Sequence, residues 1–235
     1  MQNKEKQAQQ AKELGINGCD DYDSLIENSD ILFLGVKPVV FPTLLPQIAK
    51  SVKKKNPLVV SMAAGLTTDS IKEMLGYDAK IIRIMPNVNA AIAMSTTAVC
   101  KNEFASDEDL ATIKNLFSTI GLTTEVPENQ FAIFTAIAGC SPAYVYMFID
   151  GLARGAQKMG MNKQKALEIA ASAVIGSASM YAQSNEHPQE LVDKVCSPGG
   201  TTIEGVTTLE EYKFTAGVVK AVENSILKDR ELSKK

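Results

Sequence analysis

Histidine is nearly absent from this chain. Its 235 residues contain one, His187, and four cysteines, Cys19, Cys100, Cys140 and Cys196, which lie far apart with no C-x-x-C pair. Neighbours in sequence therefore assemble no zinc-ligand set, and no metal centre is expected. A lone histidine without a visible partner is a poor proton carrier, and in "NEHPQEL" His187 reads as a helix-start residue. Charge of one sign is missing as well. The 24 basic residues nearly balance the 27 acidic ones, for a net charge of −3, which leaves no electrostatic footprint for nucleic acid. The opening stretch "MQNKEKQAQQAKEL" is polar throughout and lacks the apolar core of a signal peptide. With unpaired cysteines, that points to a cytoplasmic protein with reduced thiols. Finally, the pattern G-x-G occurs nowhere.

Long uncharged runs are scarce, with one exception. "FAIFTAIAGCSPAYVYMFI", Phe131 to Ile149, has 19 residues without a formal charge, close to the length of a membrane span. Gly139-Cys140-Ser141-Pro142 lies at its centre, and proline there removes a backbone donor that lipid does not replace. The expectation is a buried helix–turn–helix, with no membrane contact.

What is present falls into two parts. Up to about Pro127, short β-branched runs alternate with amphipathic stretches. "ILFLGV", "LVVSMAA" and "KIIRIMP" are near-continuous apolar runs, as strands covered on both faces require, with shorter strand candidates in "TTAVC" and "LTTEV". Between them "VVFPTLLPQIAKSV", "DSIKEML" and "DEDLATIKNLF" read as crossover helices. The expected fold class is α/β: a partial Rossmann-type parallel-sheet domain over residues 1–127, followed by an all-α domain over 128–235. Ligands of open parallel sheets bind beyond the carboxyl ends of the strands, which singles out Gly35-Val36-Lys37-Pro38, Ala63-Ala64-Gly65 and Met85-Pro86-Asn87. In the helical part "AASAVIGSASMYA" carries small residues at nearly every position. Such a helix admits a close neighbour, either from the same chain or from a second subunit.

The segment "CSPGGTTIEGV" combines two glycines with two threonines. Thr201 stands three residues before Glu204, the spacing of a capping box, so a helix is expected to begin near Thr202. The bare amides ahead of it suit a carboxylate or phosphate at the positive end of a helix, although a plain turn and cap explain the same residues. Cys140 and Cys196 read either as small buried residues or as lining of a substrate site.

Taken together, "VKPVV", "SMAAG", "RIMPN", "AGCSPAYVY" and "SPGGTTI", in that order, resemble the pyrroline-5-carboxylate reductase family, and "AVENSILKDREL" looks like its closing helix. The resemblance implies an NADPH- or NADH-dependent oxidoreductase that reduces the C=N bond of 1-pyrroline-5-carboxylate to L-proline, with a helical domain that forms a homodimer and larger rings. Carried onto this sequence, it implies that Gly35, Val36, Lys37, Pro38, Ala63, Ala64, Gly65 and Asn87 border the cofactor. It likewise implies that Ser197, Gly199, Gly200, Thr201 and Thr202 hold the substrate. Thr201 is then the partner of the imine nitrogen, unless its hydroxyl is spent on the cap.

The family's opening strand and glycine fingerprint have no counterpart here, so the resemblance implies a truncated member with weak affinity for NADPH. Two alternatives are a catalytically silent dimerisation subunit and a related imine or β-hydroxyacid dehydrogenase. Val88-Asn89 follow "RIMPN" where the family has Thr-Pro. Gly139-Cys140-Ser141-Pro142 replaces Gly-Ser-Gly-Pro, and Cys196 stands where threonine or serine is usual.

Overall fold

In the computed structural model, which describes residues 4–232, helices and strands alternate through the first half of the chain. Their order is α1 (Lys4–Leu14), α2 (Tyr22–Glu27), β1 (Ile31–Leu34), α3 (Phe41–Lys55), β2 (Leu58–Ser61), α4 (Thr68–Leu75), β3 (Ile81–Met85), β4 (Ser95–Lys101), α5 (Asp107–Ser118) and β5 (Gly121–Glu125). Helices then take over, with α6 (Phe131–Phe134), α7 (Ser141–Lys158), α8 (Lys163–Ala182), α9 (Pro188–Val195), α10 (Thr201–Glu211) and α11 (Phe214–Leu232). Two compact units result. One holds the described chain up to Gly139 together with the end of α11 from Ile226, and the other holds Cys140–Ser225. The first unit thus continues past Pro127, because Phe131 packs with Ala98 and Cys100 of β4.

The five strands form one sheet in the order β1-β2-β3-β4-β5. β1, β2 and β3 run parallel, with Leu34 beside Ser61 and Ser61 beside Arg83. Successive residues of each strand face opposite layers. Leu32, Leu34, Val59 and Ile81 pack with Phe41, Leu45, Ile48 and Val52 of α3 and with Ile71 and Leu75 of α4. Val60, Ile82, Ile84 and Val99 pack with Leu110 and Ile113 of α5. The buried positions of α3, Phe41, Leu44, Leu45, Ile48 and Val52, repeat at helical spacing, and each large side chain so buried contributes about 1.5–3 kcal/mol.

The sheet is not wholly parallel, as the sequence pattern had suggested. β4 runs antiparallel to β3, pairing Met85 with Ala98, while β5 is parallel to β4. Chain length explains the reversal. Only residues 86–94 separate β3 from β4, and a parallel crossover needs about a dozen residues or more. That connection is a short 3₁₀ turn, Val88–Ile92. The β4–β5 link is long enough for α5, whose start is closed by a reciprocal Ser106–Asp109 capping box.

The uncharged run differs from expectation too. It contains no turn: α6 passes through a π-helical stretch, Thr135–Cys140, into α7. Pro142 lies in the first turn of α7, a position whose N–H is dispensable. The resulting helix, Glu128–Lys158, is long and apolar enough to cross a membrane by length and composition, and only 11 % of its most apolar window is buried within this chain. In the second unit α7 packs on α8 through Ala153, Ala166 and Ala170. The remaining small-residue face of α8 stays open, with Ile175, Met180 and Tyr181 exposed.

Candidate active site

In the first unit the parallel register sets the carboxyl ends of β1, β2 and β3 on one edge of the sheet. Each end opens into one of the turns singled out by sequence. After β1, Gly35, Val36, Lys37 and Pro38 are exposed. A side chain at Gly35 would meet only Met62 Sδ, at 3.9 Å, so the backbone there is open to an approaching ligand. The Lys37 carbonyl accepts from Val40 N at 2.9 Å, while its side chain has no ion pair or hydrogen bond among the described residues. After β2, Ala63 is buried, its N–H donating to Ser61 Oγ at 3.3 Å, while Ala64 is exposed. Gly65 takes φ +78, a value that glycine adopts without strain, and the turn feeds directly into α4.

After β3, Asn87 is committed to the fold. Its Oδ1 accepts from Asn89 N at 3.2 Å and Thr96 N at 3.3 Å, and its Nδ2 donates to Ala138 O at 2.9 Å. In an α-helix the carbonyl of residue 138 would accept from residue 142, and Pro142 has no N–H to give. The Asn87 amide supplies that donor. These bonds occupy the Asn87 carbonyl oxygen and one of its two amide hydrogens, which leaves one N–H for a further acceptor.

The second unit contains the other group of residues. Ser197-Pro198-Gly199-Gly200 forms a tight turn closed by Gly200 N donating to Ser197 O at 3.0 Å. Pro198 stands second and Gly199, at φ +66, third, the residue pattern of a type II turn. A side chain on Gly200 would collide with Ser197 Oγ and come within 3.1 Å of Ser197 O. The expected capping box is not formed. Gly200, with φ −82 and ψ 170, is the N-cap of α10, and no side chain caps this end. The turn starts the helix one residue early, so Thr201 has helical backbone angles, which turn its hydroxyl away from the third amide. Glu204 does not reach back either. The hydroxyls of Thr201 and Thr202 have no partner among the described residues, and no side chain among them caps the first amides of α10. His187 does cap its helix: Nδ1 accepts from Gln189 N at 3.2 Å, and Glu190 returns to His187 N at 3.0 Å.

Sequence reasoning passed over a partly buried ion pair in the first unit. Arg83 of β3 is 5 % exposed and lies 3.3 Å from Glu128 Oε1, its guanidinium 4.5 Å from the centroid of the Phe131 ring. A charge inside a strand covered on both faces must find a partner, and that rule was the available signal. Beside it, burial pushes the Cys100 thiol up to about 12; the Glu128 charge adds to the shift and Arg83 opposes it.

The fold agrees with what comparison with known proteins finds. Residues 128–232 match the family model described as pyrroline-5-carboxylate reductase dimerisation, and residues 1–65 match NADP oxidoreductase, coenzyme F420-dependent. The chain is 41 % identical to pyrroline-5-carboxylate reductase of Escherichia coli over 94 % of its own length and 82 % of that protein's. It belongs to the pyrroline-5-carboxylate reductase family. The crystal structure of the Streptococcus pyogenes enzyme superposes with a TM-score of 0.89 at 37 % identity, covering 98 % of this chain and 87 % of that one. The Plasmodium falciparum enzyme, solved with NADP bound, gives a TM-score of 0.86 at 30 % identity, covering 93 % of this chain and 82 % of that one.

Proposed function

We propose that this protein reduces the C=N bond of 1-pyrroline-5-carboxylate with NADPH or NADH, giving L-proline. The observation that carries the proposal is the start of α10: amides with no side-chain cap and two threonine hydroxyls with no partner among the described residues, in a member of this family. The substrate offers one carboxylate and one ring nitrogen. The amides at the positive end of α10, with the Ser197–Gly200 turn, receive the carboxylate through charge-assisted hydrogen bonds. Thr201 Oγ1 accepts a hydrogen bond from the protonated imine nitrogen.

A protonated imine needs no further acid. Hydride arriving at the ring carbon converts C=N⁺ to a neutral amine while the nitrogen keeps its proton, so the protein's task is placement. The open backbone at Gly35–Pro38 and Ala63–Gly65 fits an extended dinucleotide along the sheet edge, with Lys37 free for a phosphate. Bound there, the dinucleotide supplies the hydride.

The exposed apolar faces of α7 and α8 are covered by a second copy of the chain, with rings built from such dimers. A cytoplasmic setting accords with the four free cysteines.

NAD(P)H oxidation with 1-pyrroline-5-carboxylate tests the activity, and Thr201→Val with Thr202→Val tests the roles. Removing a hydrogen bond to a charged group costs about 1.5–3 kcal/mol, so Thr201→Val lowers kcat/KM roughly 10- to 150-fold. A larger loss in Thr202→Val would move the nitrogen contact to Thr202. Loss in neither variant overturns the assignment.

A further inference from the structure

Glu128 lies where the chain leaves the sheet for the helices, and its carboxylate is turned back onto the start of α4. Oε1 accepts from Thr68 N at 2.8 Å, and Oε2 accepts from Thr68 Oγ1 at 2.9 Å. Oε1 is also 3.3 Å from Arg83 Nη1. Thr68 is 4 % exposed and Arg83 5 %, while the Glu128 side chain is 26 % exposed, so water screens these contacts only in part. Helix α4 already has its own cap, Thr67 Oγ1 accepting from Ser70 N at 3.1 Å. Glu128 adds a negative charge at the positive end of the same helix, from 60 positions further along the chain. Arg83 holds that charge in place, and Arg83 in turn precedes the β3 turn by two residues. The far end of the same segment is fixed through Ala138 O and Asn87 Nδ2.

The turn Ala63–Gly65 sits between two anchors, β2 on one side and the first residues of α4 on the other. Gly65 cannot stiffen it, since glycine restricts the backbone least. We infer that Glu128, oriented by Arg83, is a positioning residue that sets the Ala63–Gly65 turn for the dinucleotide while touching neither dinucleotide nor substrate. The inference rests on the reading of that turn as the cofactor border.

Two variants test it. Glu128→Gln keeps one acceptor but removes the charge that faces Arg83. Thr68→Val leaves the ion pair intact and removes only the hydroxyl bond, so it keeps the test open should Glu128→Gln not fold. In Glu128→Gln the KM for NADPH rises roughly tenfold, with kcat and the KM for the imino acid within about twofold of wild type. Thr68→Val shifts the same constant in the same direction by a smaller factor. Hydrogen exchange, measured without cofactor, speeds up roughly tenfold at the amides of Gly65–Ser70 and stays unchanged in α5. Unchanged exchange at Gly65–Ser70 in both variants overturns the inference. So does a loss spread equally over kcat and both KM values, which is what a merely structural role gives. Should wild type neither bind nor oxidise NADPH, the proposed activity fails, and the exchange measurement alone decides whether Glu128 holds the turn.

Discussion

Replacing Gly200 by alanine isolates the substrate turn from the rest of the protein. Gly200 has an ordinary φ of −82, so the added methyl strains no backbone angle. What it meets is Ser197, whose Oγ lies inside contact distance and whose carbonyl oxygen is 3.1 Å away. The serine side chain can rotate; the carbonyl cannot, because Gly200 N already bonds to it at 3.0 Å. The turn must therefore open by a few tenths of an ångström. An exposed turn absorbs that for about 0.5–1 kcal/mol of stability. The amides behind it move by the same amount, and if they hold the carboxylate, weakening one charge-assisted bond by about 1.4 kcal/mol raises the substrate KM roughly tenfold. Gly200→Ala should then show a KM for 1-pyrroline-5-carboxylate about ten times that of wild type, an unchanged KM for NADPH, and a melting temperature lowered by only a few degrees. In Ser197→Ala/Gly200→Ala the hydroxyl is gone but the carbonyl contact at 3.1 Å stays, so the double variant should keep the raised substrate KM. An unchanged substrate KM in Gly200→Ala would refute the carboxylate role of this turn. A substrate KM restored in the double variant would refute the carbonyl as the obstacle.

Two further outcomes concern the sheet. Gly121 opens β5 at φ +140, and a side chain there would run into the backbone of Ser95, the residue it pairs with. Gly121→Ala should cost about 3 kcal/mol or more in urea unfolding, and a midpoint near wild type would show that β4 and β5 separate easily. The Cys100 thiol, held near 12 by burial, ionises later in the folded chain than in the unfolded one. The unfolded state therefore releases its proton first, and this contribution is complete below about pH 9 and lost as pH rises toward 12. Cys100→Ala should flatten that alkaline decline in stability, and iodoacetamide at pH 8 should modify Cys19, Cys140 and Cys196 before Cys100; equal rates would contradict the buried thiol.

Local pattern made the strands and crossover helices legible, because each is specified by residues near one another in sequence. "LVVSMAA" and "KIIRIMP" fall on strands buried on both faces, while "ILFLGV" falls on β1, which buries Leu32 and Leu34 on one face and leaves Phe33 exposed on the other. The antiparallel turn of β4 was legible too, in the few residues between Met85 and Ser95, though it asked for a count of length rather than a pattern of residue types. The failed capping box at Thr201 has a different origin. Thr201 and Glu204 have the right spacing, but Pro198 and Gly199 close a turn that makes Gly200 the cap, so a stronger local signal one step earlier displaced the weaker one. That displacement frees the Thr201 hydroxyl, and the cap had been the competing explanation for its presence.

The contacts of Asn87 and Glu128 lie beyond such reading altogether. Each acts on a partner more than 50 positions away, and nothing about either residue's neighbours announces it. What the sequence does contain is the need each one answers. Arg83 is a charge in the middle of "IIRIM", and a strand covered on both faces cannot leave it unpaired. Pro142 is a missing donor in an otherwise helical run, and the carbonyl four residues back must be satisfied by something. Both needs arise beside turns proposed to hold the cofactor, and both are met by ties between the sheet's carboxyl edge and residues 128–138. The same polar groups that make an apolar strand and a long helix tolerable thus also fix the positions of the turns around them. A substitution at Glu128 is therefore expected to register first as a change in cofactor affinity, and only second as a loss of fold.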